Sequence, residues 1–313
     1  MDPLLLVRAV HIAATAMVAG AIIFQSFVIA PAIRPASADH PTAMLDKNLR
    51  MLVWAALAVA LLSGLAWLMV LSARFVGQGV IEAFANGVPW TVLTATRFGH
   101  AWAGRLAIAV LLAGILFFRP ARDSPERRGW IVSLVAACFL GSLAWSGHAG
   151  ASPGLGGTVH LASDVLHLVA VGAWIGALPP LAMLLLSARQ PAVTDFVAVA
   201  AHRFSVLGML SVGTLIVTGI INTWNLSGTV PALLETDYGR LLLLKVSLFV
   251  VIVGVAAVNR LRLVPRLPDA QAVRSLRRNA LIEIAIGATI ILIVGGLGTM
   301  PPGAHAAALS HVH

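Results

Sequence analysis

His160, Asp164 and His167 stand at i, i+4 and i+7 in the chain. At about 100° per residue, a helix through them holds two imidazoles and a carboxylate within about 60° of arc, on one face. Neutral imidazole ligates copper, zinc, nickel and iron, and a neighbouring carboxylate either binds the metal or orients a ring nitrogen. His148 lies just upstream, in the segment Trp145, Ser146, Gly147, His148, and a short Gly-rich turn separates it from His160. Near the N-terminus, Arg8, His11 and Thr15 share a helix face of their own. His11, His148, His160, Asp164 and His167 therefore form a candidate metal site. Several nitrogens with no thiolate suit copper, as Cu(I) or Cu(II), better than a hard cation. Zinc, a haem, a proton relay, or plain hydrogen bonding among these groups and the headgroups remain alternatives. The one cysteine, Cys138, sits in an apolar run, so disulfide and Cys-x-x-Cys chemistry are excluded.

The elements that must position these residues follow from composition. Of 313 residues, 59% are apolar and 11% charged, against the roughly 25% charged of a soluble domain. The mean hydropathy is +0.93. A soluble enzyme and a disordered regulator are both excluded. A hydrocarbon core about 30 Å thick needs about 20 apolar residues in a helix. The sequence supplies that length eight times, over about 4–30, 50–73, 100–118, 129–147, 158–187, 200–225, 238–260 and 279–300. Pro31, Pro35, Pro120, Pro153, Pro265 and Pro268 punctuate the intervals. The first stretch has no basic lead and is too long for a cleaved signal, so it is expected to stay as a span. The fold class expected is all-α: a polytopic membrane protein of eight helices in a single membrane domain over 1–313, with a histidine-containing tail at 301–313.

The excess of 21 Lys and Arg over 12 Asp and Glu raises the question of nucleic acid, and the positions of the basic residues answer it. One side of the expected topology holds Arg34, Lys47, Arg50, Arg119, Arg122, Arg127, Arg128, Arg189, Arg203, Arg260, Arg262, Arg266, Arg274, Arg277 and Arg278; the other holds only Arg8, Arg74, Arg97 and Arg240. Basic loops stay in the cytoplasm. Both termini are accordingly expected outside, and the charge is a topology signal that calls for no nucleic acid. His11, His100, His148, His160, His167, His305, His311 and His313 then fall in the outer half or on the outer surface, leaving His40 and His202 on the inner side.

The two halves of the chain are alike. His11, Ala14 and Gly20 meet His167, Ala170 and Gly176 at a separation of 156 residues, and Ser63 and Gly64 meet Thr218 and Gly219 at 155. Leu93, Thr96, Phe98, Gly99 and Arg105 meet Leu233, Thr236, Tyr238, Gly239 and Lys245 at 140. Four spans per half preserve orientation, so a parallel 4+4 repeat is expected, over about 4–147 and 158–300. Arg105 and Lys245 are expected to balance Asp164, Glu235 or Asp237, to line a polar path, or to snorkel to the outer interface. His100, Met300, His305, His311 and His313 are possible accessory ligands, with packing favoured for Met300 and Met17. Glu283 is expected to pair with Arg277 or Arg278. An inward route has few candidate ligands: His202, Met44, Met51 and Cys138. P-loop, aspartyl-phosphate and dinucleotide motifs do not occur, and no enzymatic activity is expected.

The stretch from His148 through Gly157, Asp164 and His167 to Trp174, Gly176 and Leu178 resembles the signature region of the CopD copper-resistance membrane proteins. The Thr96, Phe98, Gly99, Arg105 segment, the Thr236, Tyr238, Gly239, Arg240, Lys245 segment and the early His11 extend the resemblance over roughly 4–301. It implies an eight-helix bacterial inner-membrane protein that handles copper with a periplasmic partner of the CopC type, moving the metal toward the cytoplasm. It also implies His11, His148, Asp164 and His167 as family positions; His160 is proposed from helix geometry. The chain carries no fused CopC-like domain, so the partner is expected to be a separate protein. The alternatives are a b-type haem protein, with His11 and His167 as the axial pair, and a metal-free membrane assembly factor.

Overall fold

The computed structural model describes residues 2–33, 43–118, 125–147, 154–187, 194–227 and 230–301. His40, His148, His305, His311 and His313 lie outside the described residues. Among the described residues there are helices and turns and no strand. Eight helices are long and apolar enough to cross a membrane: α1 Pro3–Ile33, α2 Ala43–Val76, α3 Arg97–Phe117, α4 Arg127–Ser146, α5 Gly156–Ser187, α6 Asp195–Leu226, α7 Asp237–Arg266 and α8 Ala270–Leu297. Several run past the limits that hydropathy marks. α2 begins at Ala43 and α8 at Ala270 because apolarity measures the bilayer, whereas backbone hydrogen bonding carries the helix on into its polar first turns.

Helix starts are set by local chemistry. Asp2 accepts from the Leu4 amide at 2.9 Å with Pro3 at the first helical position, and Asp269 accepts from the Ala272 amide at 3.0 Å. α3 and α7 open alike. Thr96 and Thr236 are extended N-caps whose hydroxyls accept from the Gly99 and Gly239 amides at 2.9 and 3.0 Å. A Cβ at Gly99 would collide with the Val92 and Leu93 carbonyls of the short preceding helix Val88–Ala95, which explains the Thr-x-x-Gly spacing.

The start of α1 and the end of α2 are joined by the Arg74–Asp2 ion pair. Alternation of the eight helices puts both ends of the chain's membrane region on that same side, called here the N-terminal face. α1 and α5 are the central helices: 72% and 67% of their apolar windows are buried, against 11% for α7. They cross on small residues. A side chain at Gly20 would strike the Gly176 backbone, and one at Gly176 would strike the Ala16 carbonyl, so the two helices meet backbone to backbone. One buried apolar cluster fills the space among α1, α2, α3 and α4. A second fills α5 to α8 and takes in the far ends of α1 and α2. Outside these, the apolar side chains of α2, α3, α6 and α7 face outward, as in lipid. Two central helices, each leading its own cluster, thus carry His11 and His167 to matching depths.

Candidate functional site

In the first cluster His11 is 1% exposed and fully engaged. Its Nδ1 lies 2.9 Å from the Ala60 carbonyl and 3.2 Å from Ser63 Oγ. A carbonyl only accepts, so Nδ1 carries the proton and Nε2 the lone pair. That lone pair accepts from the Arg105 guanidinium at 2.8 Å. Arg105 is itself 1% exposed, donating to the Phe139 carbonyl at 3.1 Å and to Ser142 Oγ at 2.7 Å. Trp67 and Trp102 pack on the His11 ring with centroids 5.6 and 5.1 Å away, and Arg8 lies over Trp67. Gly64 leaves room for this packing: a Cβ there would stand 3.1 Å from His11 Cε1 and 2.9 Å from Trp102. Thr15 donates to the His11 carbonyl.

The second cluster repeats the frame and leaves it open. His167 Nδ1 lies 2.9 Å from Thr218 Oγ1. The Thr218 hydroxyl donates to the Thr214 carbonyl at 2.7 Å, so Thr218 accepts from His167 and Nε2 again carries the lone pair. Here, among the described residues, no guanidinium takes it. Lys245 holds the position corresponding to Arg105. Its ammonium acts electrostatically on both His167 and Asp164, yet it makes no hydrogen bond or close ion pair among the described residues. Asp164 accepts from Asn222 Nδ2 at 3.3 Å and lies beside Gly147, the last described residue before His148. Tyr238 also lies within electrostatic range of Asp164.

Polar atoms left without a partner separate the two regions further. Around His11 they are N–H donors, Arg8 Nε, Trp67 Nε1, Trp102 Nε1 and Arg105 Nε, while the hydroxyls of Ser72, Ser133 and Ser146 are unpartnered elsewhere in the same half. Beside Asp164 the orphan is an acceptor, Asn222 Oδ1, whose amide nitrogen is committed to the carboxylate. Orphaned donors repel a cation and orphaned acceptors attract one.

Among the described residues of the expected metal set, His11 lies apart from Asp164 and His167, in the other half of the bundle. No group of three or more His, Cys, Asp or Glu that could hold a metal occurs among the described residues. His11 was expected among the ligands, and it differs from that expectation because Ala60 and Arg105 occupy both ring nitrogens. The same occupation removes it from an axial haem pair with His167. His160, on the face shared with Asp164 and His167, is buried at 4% exposure and makes no hydrogen bond among the described residues. His100 is exposed and bonds the Thr94 carbonyl through Nε2. Met300 packs beside Tyr238, Leu242 and Leu297, and Met17 packs on the first cluster. Asp237 is exposed and pairs with Arg240 at 3.5 Å rather than with Lys245, and Glu235 is exposed.

Arg105 neither snorkels nor faces a carboxylate, since the Phe139 carbonyl and the Ser142 hydroxyl of α4, together with His11 of α1, hold it inside the bundle. Met44, Met51, His202 and Cys138 all lie on the outside of the bundle, so they line no inward path. Glu283 does not pair with Arg277 or Arg278. It accepts from Asn259 Nδ2 at 2.6 Å and from the Trp174 indole, and Asn279 donates to Asn259 Oδ1 at 2.7 Å. This buried amide and carboxyl chain escaped the sequence reading, although two asparagines inside apolar helices were the available signal.

Comparison with known proteins agrees with this architecture. Residues 1–158 match the family described as Copper resistance protein D-like, N-terminal domain, and residues 198–297 match Copper resistance protein D. Copper resistance protein D of Pseudomonas syringae pv. tomato is 30% identical over 221 residues, covering 67% of this chain and 71% of that protein. Inner membrane protein YebZ of Escherichia coli (strain K12) is 30% identical over 232 residues, covering 72% and 76%. Copper transport protein CutJ of Bacillus subtilis (strain 168) is 29% identical over 230 residues, covering 72% of this chain and 41% of that protein. No solved structure matches the chain. A multi-pass inner-membrane protein that handles copper, the chain belongs to the copper resistance protein D family.

Proposed function

We propose that this protein receives copper at its N-terminal face through the second cluster and moves it toward the cytoplasm, as a carrier and not an enzyme. His167 Nε2 and Asp164 are the central ligands, Asn222 Oδ1 supports them, and His160 lies about two turns further out on the same face of α5. His148 and the tail residues His305, His311 and His313 are additional outer ligands that deliver or collect the metal. A separate periplasmic protein of the CopC type hands copper over. His11 takes a structural role in this reading, leaving one copper-binding half of two. The N-terminal face is periplasmic, because the loops of the opposite side hold the arginines.

The carrying observation is the open imidazole nitrogen beside an acidic group and an orphaned acceptor, where the first half puts a guanidinium. The name of the Bacillus relative, a copper transport protein, supports movement of copper as the activity. The test is copper stoichiometry of the purified protein. His167→Ala and Asp164→Asn should lose bound copper while His11→Ala keeps it; full binding in both second-half variants would sink the site. Cellular copper under controlled supply tests the direction. Accumulation should fall on deletion of the gene, and a rise would overturn inward movement.

A further inference from the structure

Another buried ionisable group lies outside the site just described, in the half of the bundle toward the opposite face. Glu283 of α8 is 2% exposed. Its two partners, Asn259 of α7 and the Trp174 indole of α5, are both neutral N–H donors. Asn259, itself 8% exposed, opens a π-helical turn, Asn259–Leu263, and is held from the other side by Asn279. Glu283 also lines a cavity of about 200 Å³ between α5, α6, α7 and α8, whose wall is apolar apart from Ser205, Asn259, Arg260 and Glu283.

Among the described residues no cation pairs with this carboxyl. Of those residues Arg260 is the other charged side chain on the cavity wall, and its guanidinium donates to Ser205 Oγ at 2.9 Å. On α8, Arg277 and Arg278 point about 120° and about 140° round the helix from Glu283. Arg262, Arg266 and Arg274 are exposed, as are His202 and Arg203 on α6, the latter bonded to the Phe27 carbonyl. α5 carries no ionisable group between His167 and Ser187. An ionised carboxylate with two neutral donors and no countercharge is costly inside a bilayer, and intramembrane carboxyls in that position commonly bind protons.

We propose that Glu283 is an exchangeable proton-binding site, reached through the cavity between α5, α6, α7 and α8 and linked through Trp174 to the helix that carries Asp164 and His167. Trp174 is the residue at which α5 breaks: one helical stretch is Gly154–Trp174 and the next Leu178–Ser187. Protonation of Glu283 changes what the Trp174 indole bonds to at that break. The proposal does not rest on the copper reading, and its test contains no copper.

The protein in lipid nanodiscs is followed by infrared difference spectroscopy from about pH 5 to about pH 9. The expected result is a protonated carboxylic acid band that fades as the pH rises, is absent in Glu283→Gln, and shifts in Trp174→Phe because its hydrogen bond is lost. Identical acid bands in wild type and Glu283→Gln across the range would overturn the proposal. The unmodified protein gives a second arm that needs no variant. Dicyclohexylcarbodiimide adds to a protonated carboxyl: the acid oxygen bonds to the central carbon, the acid proton moves to nitrogen, and nothing is released. Peptide mapping should find the adduct on Glu283, more at low pH than at high; no adduct there at any pH overturns the site.

Discussion

The first and second clusters use one frame for opposite ends. Each puts a histidine on a central helix, fixes its Nδ1 proton on a hydroxyl of the next helix, and sets a basic residue on α3 or α7 at the same depth. At the separation that relates His11 to His167, Arg8 corresponds to Asp164, and at that relating Ser63 to Thr218, Trp67 corresponds to Asn222. Charge and hydrogen-bonding sense thus invert: Arg8, Arg105 and two indoles surround His11, while Asp164, Lys245 and an amide surround His167. A frame that orients an imidazole is therefore common to both, and its availability is decided by whether the partner above Nε2 can reach it. Arg105 reaches its histidine in a fork of three acceptors; Lys245 does not.

The largest expected effect breaks the first half. Arg105→Leu strips the donor from His11 Nε2, Ser142 and the Phe139 carbonyl, all in a dry interior. The Phe139 carbonyl keeps the Ser142 hydroxyl as donor, but each buried acceptor left unpaired, His11 Nε2 above all, costs about 1–3 kcal/mol, partly offset by relief of the buried charge, so a net loss of about 2 kcal/mol is expected. Lys245→Leu removes no hydrogen bond and should cost less than about 1 kcal/mol. Thermal unfolding in nanodiscs separates them, and equal losses would mean that both cations are structural.

Copper affinity is next. His167→Ala should weaken binding on the order of 100-fold, because it removes a ligand, while His11→Ala changes affinity by less than about threefold and lowers stability instead. Isothermal titration of both variants decides, and a reversal of the two results would move the site to the first half.

Much of the fold was legible because hydropathy and the bilayer thickness act on the same length. The eight helices, the matched positions of Thr96 and Thr236, and the paired histidines all followed from composition and spacing. The site was legible only in part. His160, Asp164 and His167 share a face because helix geometry requires it. That Arg105 would reach His11 depends on how α3 packs on α1, which no local pattern encodes. Glu283 is near Arg277 and Arg278 in sequence, yet residues five and six apart face away from each other on a helix, so its partners come from other helices. Asn259 and Asn279 carry no charge, so the pattern of ionisable residues does not mark them.

A smaller effect tests the shared part of the frame. His11 Nδ1 has the Ala60 carbonyl as well as Ser63, whereas His167 Nδ1 has Thr218 alone. Ser63→Ala should therefore cost less than about 0.5 kcal/mol, because the ring keeps an acceptor. Thr218→Val frees the ring that must present Nε2, and loss of such an orienting partner costs about tenfold in metal affinity. Copper titration of Thr218→Val against Thr218→Ser, which restores the hydroxyl, measures that orientation directly; equal affinities in the two would show that the hydroxyl does not orient the ring.

The smallest effect concerns Lys245 itself. Its ammonium lies close enough to act on Asp164 and His167 but not to bond them, so it lowers the local attraction for any cation without blocking the nitrogen. Two unit charges several ångströms apart in a partly wetted site interact by about 1 kcal/mol, which corresponds to roughly fivefold in an equilibrium constant. Lys245→Met should raise copper affinity by about that factor and slow copper release in stopped-flow exchange. Lys245→Arg is the sharper case. A guanidinium is longer and forks, so it can reach His167 Nε2 as Arg105 reaches His11, and it should close the second half by turning it into a copy of the first. Copper binding that survives Lys245→Arg undiminished would show that the reach of the cation is not what distinguishes the two halves.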